Sequence, residues 1–122
     1  MPGKGASEAT VRAILDKLFQ EAMVHKPLPT YPKIGTVRAM VDLGNDWHEV
    51  NVVQRELGKV QQTGNVYSLY LARLYPGLIE VDSEKRVRIK PDLYPTTKNM
   101  VRGYADKVLQ AIAEKRKLAG SD

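Results

Sequence analysis

Residues 78–90 read Leu-Ile-Glu-Val-Asp-Ser-Glu-Lys-Arg-Val-Arg-Ile-Lys, and their alternation decides the fold. From Leu78 to Asp82 and again from Arg86 to Lys90, apolar and polar side chains take turns, which is the period of a strand with one face covered. A single apolar face requires Ile79 beside Ile89 and Val81 beside Val87. That register sets residue 82 opposite 86 and leaves Ser83-Glu84-Lys85 as a three-residue loop. Such loops are common in hairpins, with Gly favoured at the left-handed position, and this loop has no Gly. The other face then sets Glu80 against Arg88 and Asp82 against Arg86. Pro76-Gly77 ahead and Pro91 and Pro95 behind isolate the hairpin from its neighbours.

Outward from this hairpin the pattern is helical. Residues 1–6 read as a flexible leader, after which Ser7 caps a helix with Val11, Ile14, Leu15, Leu18, Phe19, Ala22 and Met23 on one face. Pro27 and Pro29 end it, and KPLPTYPK (26–33) reads as a rigid connector. A short helix is expected over Thr36 to Leu43, buried through Val37, Met40 and Val41 and stopped by Gly44. Asp46 and Glu49 have capping-box spacing, which predicts a third helix from Trp47 to Leu57 with Val50, Val53 and Leu57 inward. Thr63 is a cap for a fourth, running to Leu74, with Val66, Leu69, Tyr70 and Leu74 on its core side. A last amphipathic helix over 96–118 carries Val101, Tyr104, Ala105, Val108, Leu109 and Ile112 inward. The expected class is therefore mostly α with a small β-hairpin, in one domain spanning 7–118, with 119–122 as a tail.

Composition narrows the function. A chain of 122 residues, 43% hydrophobic, suits one domain with one core. The absence of Cys excludes disulfides, thiolate metal sites and a Cys nucleophile. No apolar run approaches the ~20 residues that cross a bilayer. A membrane partner is not expected, and the location expected is cytoplasmic, nucleoid-associated, or nuclear rather than secreted. His25 and His48 have no zinc-ligand spacing, and the serines lack a nucleophile-elbow pattern. Asp46 and Glu49 are explained by capping. No enzyme activity, metal or cofactor is expected.

The charge is asymmetric. Residues 1–84 carry nine basic and ten acidic side chains, a net of −1, whereas residues 85–122 carry ten and four, a net of +6. A basic surplus confined to one third of the chain argues for an anionic partner, most often nucleic acid. A solvated surface is the other account of it.

The order of three helices and a two-stranded hairpin, with VYSLYLARLYPGLIEVD (66–82) joining the third helix to the first strand, resembles the winged-helix superfamily. The resemblance covers residues 34–91. It makes 36–43 and 47–57 the first two helices of the core, 63–74 the recognition helix and 78–90 the wing. The turn from Gly58 to Thr63 is longer than that of a standard helix-turn-helix. The implied function is double-stranded DNA binding by a small transcription regulator or a plasmid, virus or chromatin protein. Gln62, Thr63, Asn65, Tyr67, Ser68 and Arg73 would face outward, where Asn and Gln can read adenine edges and Thr and Tyr can reach phosphates. Thr63 and Asn65 would serve equally as helix caps. Lys85, Arg86 and Arg88 would meet phosphates from the wing, although Arg86 and Arg88 also have Asp82 and Glu80 to pair with. Winged-helix proteins often add a long terminal helix for dimerisation, which puts Val101, Tyr104, Val108 and Ile112 at a homodimer interface. The two flanking helices could instead cover each other within one chain. A protein-interaction module and an RNA-binding or ribosome-associated protein are the alternative functions.

Overall fold

The computed structural model describes residues 4–61 and 67–119. Five helices, α1 (Lys4–Val24), α2 (Pro32–Leu43), α3 (Val50–Gly58), α4 (Ser68–Leu74) and α5 (Tyr94–Ala119), surround a hairpin of β1 (Ile79–Val81) and β2 (Val87–Ile89). The class is mostly α with a two-stranded antiparallel sheet, as the alternation of 78–90 and the helical periods require.

α2 is the axle of the molecule. Ile34, Gly35, Thr36, Val37, Ala39, Met40 and Val41 are all buried, and the helix touches α1, α3, α4, α5 and β2. A helix that is apolar nearly all round belongs inside a core. It begins four residues before the expected Thr36, at Pro32. Proline is compatible with a first helical turn because it has no amide there to leave unpaired. The Gly35 amide already donates to the Tyr31 carbonyl at 2.8 Å, and the Thr36 hydroxyl donates to the Pro32 carbonyl at 2.6 Å. Gly35 is needed for space: a Cβ there would lie 2.2 Å from the buried Tyr31 ring and 2.7 Å from Leu57. Gly44 ends the helix at φ 116°, a conformation that favours glycine.

α1 and α5 bury the faces that their periods assign. Val11, Leu15, Leu18 and Ala22 on α1 meet the face of α5 formed by Val101, Ala105, Val108 and Ile112. Phe19 and Tyr104 meet edge to face, 5.7 Å between centroids, and the Tyr104 hydroxyl donates to the Asp16 carboxylate. The stripe expected at a dimer interface is thus interior: Val101 and Val108 are 0% exposed and Ile112 is 5% exposed. Each helix supplies the apolar partner that the other needs, so no second copy is required to cover the stripe. The helix bounds also shift. α1 starts at Lys4, inside the expected leader, so Ser7 is within the helix and not its cap; α5 starts at Tyr94, whose hydroxyl donates to the Val41 carbonyl at 2.6 Å.

α3 begins at Val50 instead of Trp47, because the residues before it are drawn into the sheet. His48 and Val87 exchange both backbone hydrogen bonds, each 2.8 Å, forming an antiparallel bridge beside β2. The capping box does not form: Asp46 accepts from the Trp47 amide at 2.7 Å, and Glu49 stands at the N-cap without a side-chain bond. His48 is half-buried instead of lying on the surface. Its Nε2 sits 2.8 Å from the Gly44 carbonyl oxygen, so this nitrogen carries the proton.

The hairpin has the register that its alternation demands, Ile79 with Ile89, Glu80 with Arg88 and Val81 with Val87. Lys85 takes the left-handed position of the loop at φ 62°.

Candidate nucleic-acid interface

α4 is rotated relative to the expected face. Ser68, Leu71 and Ala72 are buried, while Leu69, Tyr70 and Leu74 are 39%, 37% and 49% exposed. Residues 68, 71, 72 and the half-buried Tyr75 themselves follow helical spacing, and Ser68 and Ala72 are small enough for close approach. Ser68, expected to face outward, is 0% exposed, and its hydroxyl finds no hydrogen-bond partner among the described residues. Gln62, Thr63, Asn65 and the expected core residue Val66 lie outside the described residues. Tyr67 is half-buried at the N-cap of α4, and Arg73 is exposed.

The wing stands beside α4, and its three cations differ. Arg86 Nε lies 2.7 Å from Asp82 Oδ2 and 3.4 Å from Glu84 Oε2. Arg88 Nε lies 2.7 Å from Glu80 Oε2, and its guanidinium sits 4.2 Å from the centroid of the Trp47 ring. Of the three, Lys85 alone has no carboxylate partner among the described residues, and it projects from the loop tip. Both arginines are therefore paired within the hairpin, and Lys85 is the one of the three without a carboxylate among the described residues. A shallow groove lined by Glu49, Val50, Asn51, Leu69, Glu84, Lys85 and Arg86 joins the wing tip to one side of α4.

Asp82 is the hinge of the loop. Its Oδ1 accepts from the amides of Glu84 at 2.9 Å and Arg86 at 2.8 Å. Desolvation disfavours the charged carboxylate, but these two amides and the Arg86 guanidinium outweigh it and hold the carboxyl below its ordinary value.

Around Tyr70 of α4 lies a cluster that includes a cation absent from the sequence expectations. Lys33 Nζ is 5.1 Å from the Tyr70 ring centroid and 5.7 Å from that of Tyr67. The Arg73 guanidinium is 5.9 Å from the Tyr70 centroid, and the two rings meet edge to face at 6.0 Å. No carboxylate pairs with Lys33 or Arg73 among the described residues, as is also the case for Lys17, Lys26, Arg55 and Lys90; what sets these two apart is the shared Tyr70 ring. Nothing local in the sequence joins Lys33 to this group, because the contact depends on packing α2 against α4.

Elsewhere the basic surplus is divided. Arg102 is tied to Asp42 at 2.9 Å, while Lys115, Arg116 and Lys117 are exposed near the C-terminal end of α5, where cations complement the free carbonyls. Among the described residues no group of His, Asp or Glu side chains could hold a metal ion, and no helix is long and apolar enough to cross a membrane. No protein-family model, no curated protein and no solved structure matches the chain.

Proposed function

We propose that the chain is a double-stranded DNA-binding protein of winged-helix type, acting as a small regulator or as a DNA-organising protein. One observation carries the reading: α4 presents a face to solvent beside a hairpin whose tip cation, Lys85, is left without a carboxylate while its neighbours are internally paired. Helix–hairpin pairs of this kind set a helix in the major groove and a wing on the adjacent backbone. The bridge between His48 and Val87 adds a third extended segment to the hairpin, which stiffens the wing from behind. In this reading Lys85 contacts phosphate and Arg86 and Arg88 keep the wing rigid. Base readout falls to Gln62, Thr63 and Asn65 on the strength of their chemistry.

Fluorescence anisotropy with a mixed-sequence duplex over a range of salt tests this. Affinity is expected to fall steeply with salt, and Lys85→Ala to lower the slope of log K against log salt by about 0.9, as for one lost phosphate contact. Competition with structured RNA decides between duplex DNA and RNA. A second reading, protein docking, is favoured by the apolar side chains Leu69, Tyr70 and Leu74 on the outer face of α4. Salt-insensitive association carried by those three side chains would replace the DNA reading with that one.

A further inference from the structure

We infer that Lys33 and Arg73 form a second phosphate clamp, around Tyr70 and away from the Leu69 edge of α4 that borders the wing groove; this rests on the DNA-binding reading and identifies residues that the wing alone does not supply. Successive residues on a helix point about 100° apart. Leu69 turns toward the groove that contains Lys85, whereas Tyr70, the next residue, turns toward Lys33; Arg73, four residues after Leu69, rises between the two, with its guanidinium 5.9 Å from the Tyr70 centroid. Lys85 and Lys33, neither with a carboxylate partner among the described residues, therefore stand at the two edges of one exposed helical face, with Arg73 between them. A helix in the major groove has a phosphate backbone on each side of it, across a groove about 12 Å wide, so a clamp on each flank matches the arrangement of the duplex.

The chemistry of the cluster fits a phosphate better than an unpaired base. Both cations are held by ring faces and not by anions, so they are oriented without being neutralised. A base stacking on Tyr70 would have to displace them from the ring. A phosphate oxygen can approach the ammonium and guanidinium while the rings stay in place, and the counterions released on binding supply the free energy.

The experiment compares the full-length protein with Lys33→Gln/Arg73→Gln, Lys33→Arg, Arg73→Gln, Tyr70→Leu and Lys85→Ala, each titrated with two unrelated duplexes from 50 to 200 mM salt. The double variant is expected to lower the salt slope by about 1.8 and to weaken both duplexes alike, as for two lost phosphate contacts. Lys33→Arg is expected to keep the wild-type slope. Tyr70→Leu removes the ring and leaves the charges, so the slope should persist while affinity falls by about two- to fivefold. Circular dichroism melting checks folding, and should the double variant fail to fold, Arg73→Gln at an exposed site should lower the slope by about 0.9. An unchanged slope in the folded double variant, or in Arg73→Gln where that single variant stands in for it, with a lowered slope in Lys85→Ala, overturns the second clamp and leaves the DNA reading standing. If the wild-type protein binds neither duplex at 50 mM salt, the DNA reading fails and the clamp fails with it.

Discussion

Lys85 combines two roles that can be separated at the level of one residue. Its backbone takes φ 62°, a conformation that costs an L-residue roughly 1–2 kcal/mol, while its side chain has no carboxylate partner among the described residues. On the proposed function, a loop position that disfavours lysine for folding contains one because its side chain meets phosphate. Lys85→Gly should relieve the backbone at the expense of greater freedom in the unfolded chain, a net gain of about 0.5–1 kcal/mol. The same change should weaken duplex binding as much as Lys85→Ala does. Denaturant midpoints and anisotropy on one preparation measure both. Moving in opposite directions is the expected outcome, and a loss of stability would mean that the lysine side chain helps to hold the loop. Ser68 is the opposite case: read as an outward contact, it is buried, so its effect on binding can come only through the packing of α4.

Among the elements, the wing depends on Asp82. Because its carboxyl is held below its ordinary value in the folded hairpin, the folded state binds the proton less readily than the unfolded chain. The stabilisation is therefore present above the ordinary carboxylate value and is lost as pH falls through the depressed one. Acid titration followed by NMR should show the Glu84 and Arg86 amides shifting together with the Asp82 carboxyl, at a pH below that of an unperturbed aspartate. Asp82→Asn should remove that joint transition, and amides that titrate independently of residue 82 would rule out its role. The hairpin was legible in the sequence because a period of two with one apolar face admits a single register, although Val81 on that face is 44% exposed. α1 and α5 were legible for the same kind of reason, through long stripes of period 3.6. α4 was not, since Val66, Leu69, Tyr70 and Leu74 on the one hand and Ser68, Leu71, Ala72 and Tyr75 on the other both satisfy helical spacing within the ten residues 66–75. Trp47 to Glu49 misled as a helix start because the pairing of His48 with Val87 is remote in sequence, and capping residues cannot report it. The cluster of Lys33, Tyr67, Tyr70 and Arg73 was hidden for that reason too.

At the scale of the whole molecule, the pairing of α1 with α5 decides what the apolar stripe of α5 can do. Amphipathicity states that a face must be covered, not by which chain, and the sequence alone leaves both solutions open. Here α1 covers it, and the polar edges of α5 are engaged as well, through Arg38 with Asp106 at 3.3 Å and Arg102 with Asp42 at 2.9 Å. The stripe is part of the single core that also contains Leu15, Leu18, Ile34, Val37 and Met40. This arrangement predicts the fate of Val108→Glu combined with Ile112→Glu. At a subunit interface the two charges would split a dimer into folded monomers. Inside the core, each unpaired carboxylate costs about 3–5 kcal/mol unless it is neutralised, against a total stability of about 5–15 kcal/mol for a domain. The double variant should therefore lose its cooperative thermal transition and its near-ultraviolet circular dichroism. Light scattering and thermal melting, measured together, distinguish the two fates. A folded 13.7 kDa variant derived from a dimeric parent would show that α5 faces a second copy and that α1 does not cover it.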